Sequence, residues 1–416
     1  VTAVLILTAM RHGFTIAVLS PSFTATEVKV WMKRLNIRAV VNASGKCVKH
    51  LEVPGIIELS IDKLANFSSK LAPTEDDSAT FLITFTSGST GEKKAIFHSA
   101  FSILGCARAF NKKTGISKEH RMLNVMPMHY MAGIFNSFIV PLEVGAAVVI
   151  RDAFSAATAL GFRAAIAYEG ITHVWMAPAM VAMCVKLDRG QGKMPVKFEK
   201  VFVGTGALNN TIAQEFYAIF GKKPLQSYGL SELLYVSVDN SQDTDFGTCG
   251  TLLSGVKLVQ NSQNCAEIMS NYSCVGWMDG ELYSAAPAIF KTSDLVEIGD
   301  NDKITILGRS DDVIIRGGLN IDPEQLEHSL EKVLAGTDFC ISSTADDALG
   351  HALVLLVTEP HGDFVETMSN CNAVLRKNPG VVIDKVLAIK TIPRSTTGKV
   401  QRKRVRAELQ ALKDAL

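Results

Sequence analysis

The nine residues Thr86-Ser87-Gly88-Ser89-Thr90-Gly91-Glu92-Lys93-Lys94 follow directly on the apolar run at 81–85. Glycines let backbone N–H groups turn inward, the Ser and Thr hydroxyls add donors, and the lysines add positive charge. Together they make a nest for phosphate oxygens. The loop is not a Walker A motif, because the fifth residue after Gly88 is Lys93 and the required second glycine is missing. A Ser/Gly loop alone is more often an exposed turn. The buried strand before it and the two lysines after it point instead to an anion site at a strand end.

A site of that kind needs a sheet to carry it. Short β-branched runs at 14–19, 39–41, 81–85, 146–150, 173–176 and 200–203 alternate with helical patterns at 99–110, 156–168, 179–187 and 211–220. That alternation predicts an α/β fold with parallel or mixed sheets covered by helices. Alternating strands at 281–283, 295–298 and 303–307 predict a small β-barrel-like subdomain. Beyond residue 308 the pattern predicts helix 323–333, strands 340–343 and 352–357, helix 364–377, strand 385–390 and a basic terminal helix. The expected division is a large domain at 1–310, short at its N-terminus, and a smaller mobile α+β domain at 311–416.

The chain has 416 residues with 42 Lys+Arg against 41 Asp+Glu, too even a balance for a dedicated nucleic-acid binder. Its eight cysteines are scattered, with no C-x-x-C pair and no zinc spacing, as expected of reduced thiols in a cytoplasmic protein. The most apolar stretch, 134–150, is broken by Asn136, Pro141 and Glu143, so no transmembrane segment is expected. The first twenty residues read as an amphipathic helix rather than a leader.

Three further stretches matter: Tyr228-Gly229-Leu230-Ser231-Glu232, Asp294 followed by 308–323, and a Pro393-x-x-x-x-Gly398-Lys399 ending. With the glycine-rich loop they resemble, in the same order, the motifs of the adenylate-forming superfamily, in its acyl- and aryl-CoA synthetase branch. That resemblance implies ATP-dependent activation of a carboxylic acid as its acyl-adenylate, with pyrophosphate released, then thioester formation. The implied cofactors are ATP, Mg²⁺ and CoA, or phosphopantetheine on an acyl-carrier protein, and a homodimer is left open. Such chemistry needs cations and N–H donors around the reacting anions. It implies Thr86–Gly91 and Lys94 on the phosphates, Ser231 on the α-phosphate, and Glu232 on Mg²⁺. It also implies Tyr228, Gly206 and Ala207 at the adenine, Asp294 and Arg309 at the ribose, and Lys399 delivered by the small domain. Taken singly, Asp294 would be a turn aspartate and Lys399 part of a solvated basic face.

The stretch Asn124-Val125-Met126-Pro127-Met128-His129-Tyr130 resembles the segment beside the acid pocket, though His129 and Tyr130 are inverted relative to the usual order. By the same resemblance Gly204 and Gly229 line that pocket, Asp311 is the hinge, and Gly317-Gly318 line a thiol channel. A bare turn between strands is an equal reading of that glycine pair. The chain departs from the family in having 85 residues ahead of the loop, fewer than usual, and Ala288-Ile289-Phe290 where Gly-Tyr precedes the ribose aspartate. No Asp stands near 129–133 to hold an amine, so the acid is expected to lack an α-amino group. A carrier-loading enzyme and a non-catalytic nucleotide-binding relative are the alternatives.

Overall fold

The computed structural model describes residues 2–42, 57–60, 76–87, 93–190, 194–241, 243, 245–317, 319–346, 349–358, 363–378, 380–395 and 398–414. A seven-stranded sheet runs in the order Thr251–Leu252, Leu234–Val238, Pro224–Leu230, Lys200–Val203, His173–Met176, Arg121–Asn124, Ala147–Ile150. From Pro224–Leu230 to Ala147–Ile150 all pairs are parallel. Both faces are buried, and the period of two sorts the side chains. Val174, Met176, Val201 and Val203 pack under the helices Phe162–Glu169, Pro178–Leu187 and Asn210–Phe220. Trp175 and Phe202 point the other way, against helix Ala100–Thr114 and its neighbours.

A five-stranded sheet follows the order Ile16–Ala17, Thr80–Ser87, Lys93–Ser99, Gly276–Asp279, Leu282–Ala285. The strand Lys93–Ser99 was not expected. It pairs antiparallel with Thr80–Ser87, so the glycine-rich segment joins the two arms of a hairpin instead of leading into a helix. The helix begins at Ala100, capped by the Ser99 side chain. The run at 281–283, expected in the small subdomain, belongs to this sheet, where Leu282–Ala285 pairs with Gly276–Asp279. The subdomain itself is an antiparallel sheet of Val256–Gln260, Cys265–Ser270, Phe290–Ile298 and Ile304–Arg309.

Other expectations shift locally. The helix foreseen at 156–168 breaks at Gly161 into Ala156–Leu160 and Phe162–Glu169, as glycine's poor helix propensity allows. The strand foreseen at 14–19 shortens to Ile16–Ala17, and the N-terminal helix spans Thr2–His12. Ala132–Ile139, which runs into the most apolar stretch, is a buried π-helix.

From residue 314 onward the apolar side chains close on cores of their own. Phe339–Asp346, Gly350–Thr358 and Ile383–Ile389 form a three-stranded sheet, with helices Pro323–Leu330, Phe364–Leu375 and Arg402–Asp414 beside it.

Candidate active site

The Tyr228–Glu232 stretch turns from strand Pro224–Leu230 into strand Leu234–Val238 through a β-bulge at Tyr228/Gly229. Leu234 takes the left-handed conformation (φ 59°) to close the turn. A Cβ on Gly229 would sit 2.1 Å from Leu234 O, so only glycine fits there. The turn is pinned from outside by Cys274 N–H, which donates to Glu232 O at 2.7 Å. At its far end Lys94 Nζ donates to Glu232 Oε1 at 2.6 Å, across 138 residues of sequence. The same ammonium lies 4.1 Å from the centre of the Trp277 ring. Sequence reading missed Trp277, because only the register of Gly276–Asp279 beside Lys93–Ser99 brings it there. Thr86 is the cross-strand partner of Lys94, and Ser87 that of Lys93. Gly88, Ser89, Thr90 and Gly91 lie outside the described residues.

At the near end of the turn, Tyr228 Oη donates to Asp294 Oδ2 at 2.7 Å, with both side chains buried. Asp294 faces Arg309 across the small antiparallel sheet, and Arg309 Nη1 donates to Asp294 Oδ1 at 2.9 Å. The other Arg309 nitrogen reaches Ser293 Oγ and, at 3.3 Å, Asp311. Burial and the Asp294 carboxylate push the Tyr228 phenol far above its ordinary range, so it stays a donor. Asp311 is held below the usual carboxylate range, chiefly by the Ser293 hydroxyl and also by Arg309.

The strand Lys200–Val203 ends in Gly204, then Thr205 at φ 72°. Such strain in a non-glycine residue marks a segment held by its surroundings. Here Ser227 Oγ donates to Val203 O at 3.0 Å, and Leu208 N–H donates to Gln226 Oε1 at 2.9 Å. Gly206 and Ala207 line a cleft of about 270 Å³ together with Lys399. Lys399 is presented by a tight turn in which Ser395 N–H donates to Lys399 O at 2.7 Å and Arg394 Nη1 donates to Gly398 O at 3.0 Å. Gly398, at φ 85°, comes so near the large domain that a Cβ there would be 3.1 Å from Ala179 Cβ.

The Pro127–Tyr130 turn leads into the π-helix and is built around buried Asn124. Asn124 Nδ2 donates to Gly133 O at 3.0 Å, while its Oδ1 accepts from Met126 N–H at 3.0 Å. His129 and Tyr130 are both half-buried there. Burial first, and then the charge of Lys93, lower the His129 pKa, which favours the neutral ring.

A family model described as "AMP-binding enzyme" matches residues 2–292. The chain belongs to the AMP-binding enzyme family. Among similar curated proteins is 2-succinylbenzoate–CoA ligase of Staphylococcus epidermidis, 25% identical over 78% of this chain and 69% of that one. Malonate–CoA ligase of Xenopus laevis is 24% identical over 78% of this chain and 64% of its own length. The fold matches o-succinylbenzoate CoA synthetase of Bacillus subtilis, solved with its acyl-adenylate intermediate, at a TM-score of 0.83 and 18% identity. That match covers 97% of this chain and 85% of the other. The resemblance to adenylate-forming enzymes is thereby borne out, as is the α/β fold class.

Two clusters of this AMP-binding enzyme lie apart from the cleft. Gly317, at φ 56°, turns the hairpin Ile314–Arg316/Leu319–Ile321 and donates its N–H to Leu349 O at 2.8 Å. Gly318 is outside the described residues. At the opposite ends of the parallel strands, His120, His173 and Glu199 bring one ligand atom each within 4.8 Å. His120 Nδ1, however, accepts from Ser117 N–H at 2.9 Å, which places the neutral ring's proton on Nε2, toward Glu199. That leaves His120 no lone pair for a metal.

Proposed function

We propose that this enzyme activates a carboxylic acid with ATP as an acyl-adenylate and then transfers the acyl group to CoA. One observation carries the reading: the turn 228–232 holds Asp294 through Tyr228 at one end and Lys94 through Glu232 at the other. A diol acceptor and a charged phosphate wall are thus joined by five residues. In this reading Asp294, positioned by Tyr228 and Arg309, accepts from the ribose hydroxyls. Residues 204–207 present their backbone to the adenine, and Thr86, Ser87, the glycine-rich loop and Lys94 face the phosphates.

Glu232 fits a magnesium ion. Mg²⁺ is held by one or two carboxylates together with phosphate oxygens. Glu232 is partly buried, and only its Oε1 is engaged by a protein donor among the described residues. Bound there, Mg²⁺ would neutralise phosphate charge. Ser231 donates to the α-phosphate. Lys399 lies between the attacking carboxylate and that phosphate, offsetting the repulsion between two anions as the bond forms. His129 and Tyr130 border the acid, and Gly204 and Gly229 give it backbone to lie against.

The residues from 311 onward move as one unit about Asp311 in this proposal, with Gly317 beside the path of the thiol in the second step. CoA is the acceptor in this reading, with an acyl-carrier protein as the alternative. Of the basic run that could meet an acidic carrier, Arg402 is engaged by Glu327 and Arg406 by Asp312, while Lys403 and Arg404 are exposed. A cytoplasmic setting accords with the seven described cysteines, all buried and unpaired. Incubation with ATP, magnesium and a panel of acids, trapped with hydroxylamine or supplied with CoA or a pantetheinylated carrier, tests the reading. Acyl-hydroxamate and acyl-CoA are expected. Transfer to the carrier alone would replace CoA as acceptor.

A further inference from the structure

Lys94 does not stand on its ion pair alone. It is the cross-strand partner of Asp279, and two residues further along its strand Ile96 is that of Trp277. Lys94 and Trp277 therefore share one face of the five-stranded sheet, as diagonal neighbours on adjacent strands. That face is the inner one, since Ile96 is fully buried in the main core and Trp277 packs against the same core. The lysine side chain leaves the core near the start of its strand, 18% exposed, and its ammonium stops 4.1 Å from the centre of the indole.

The indole is itself held in place. Phe290, at the head of the strand that carries Asp294, meets it at 6.1 Å. A Cβ on Gly276 would lie 2.5 Å from Tyr283 Oη and 2.5 Å from Ser284 O, so the backbone just before the indole is packed to glycine dimensions. Cys274 N–H donates to Glu232 O at 2.7 Å, and Val275 N–H to Phe97 O at 2.8 Å. Residues 274–277 thus grip both members of the Lys94–Glu232 pair, the turn by a backbone N–H and the ammonium by a ring.

We propose that Trp277 is a positioning residue for ATP, its face holding the Lys94 ammonium at the phosphate wall. The inference deepens the adenylation reading and rests on it. A lysine ammonium ends a flexible stem, and Glu232 engages this one through Oε1. In the proposed site that carboxylate is shared with Mg²⁺, which draws its charge away from Lys94. The face of the indole carries the negative side of a quadrupole and has no such competitor. It keeps the ammonium aimed as the nucleotide binds.

Calorimetric titration of ATP, with magnesium and without an acid, tests this in a double-mutant cycle of Trp277→Leu and Lys94→Met. Trp277→Leu is expected to raise the Kd for ATP about threefold to thirtyfold, and Trp277→Phe, which keeps a weaker ring, by less. In the Lys94→Met background the same changes at 277 are expected to leave the Kd within about twofold, because the ring then has no cation to hold. A merely structural role would weaken binding equally in both backgrounds, and that result overturns the proposal. So does a Trp277→Leu enzyme that binds ATP as the wild type does. If Trp277→Leu shows no cooperative thermal transition, the cycle with Trp277→Phe decides by the same criterion. Wild-type enzyme that binds no ATP would instead bring down the adenylation reading beneath it.

Discussion

Asp294 is held by two partners of different kinds, a neutral phenol and a guanidinium, at 2.7 and 2.9 Å. Charge-assisted bonds of this sort are worth roughly twice a neutral one. They fix the carboxylate's direction before any diol arrives. Replacing it by Asn keeps the shape but removes the charge that Arg309 needs and that the proposed function assigns to a ribose hydroxyl. Asp294→Asn is expected to raise the KM for ATP about tenfold to a hundredfold, with a smaller change in kcat. Steady-state pyrophosphate release checks the split. At this scale the sequence was informative where chemistry demands a residue type at a fixed spacing, as for Tyr228, Glu232 and Asp294. It was silent on Trp277. Its place beside Lys94 arises from strand register, with Asp279 opposite Lys94, and no local spacing encodes that pairing.

Among the elements, the hairpin Thr80–Ser87/Lys93–Ser99 shows why one strand escaped notice. Lys93-Lys94 and His98 interrupt its apolar run, and only packing makes it a strand. His98 is fully buried within it, neither ring nitrogen has a partner among the described residues, and burial pushes its pKa down to about 3. His173, at the start of a parallel strand, is pushed down to about 3 by burial and by the His120 and Lys200 charges. An unfolded histidine titrates near pH 6.5, so between there and about 3 the unfolded chain takes up protons that the folded one refuses. Stability is therefore full above about pH 6.5 and falls as the pH drops. At pH 5.5 each ring is expected to cost about 1.4 kcal/mol relative to pH 7.5. Urea midpoints at the two pH values measure the slope, and His98→Leu should remove about half of it. A flat profile in the wild type would contradict the burial argument. The π-helix Ala132–Ile139 was not legible, since an apolar run specifies burial but not which carbonyl each N–H will choose.

In the whole molecule the residues beyond 311 touch those before it, among the described residues, at small contacts such as these. Asn209 Nδ2 donates to Glu331 Oε2 at 2.9 Å, Gln325 Nε2 donates to Leu307 O at 3.2 Å, and Gly398 abuts Ala179. These hold the pose in which Lys399 faces residues 205–207. Small contacts of this kind suit the domain movement proposed for the second step. The sequence exposed the order of the parts through four motifs, but not this arrangement, which depends on residues such as Asn209 and Glu331 that belong to none of them. In the proposed mechanism Lys399 acts only in the first step, so Lys399→Ala is expected to lower adenylation about 10²- to 10³-fold. The same variant should still transfer a supplied acyl-adenylate to CoA.

Acid-dependent exchange of labelled pyrophosphate into ATP tests the central claim most directly. The account predicts exchange that requires both a carboxylic acid and magnesium, and that collapses in Lys399→Ala. Binding of ATP without exchange for any acid in a broad panel would contradict it.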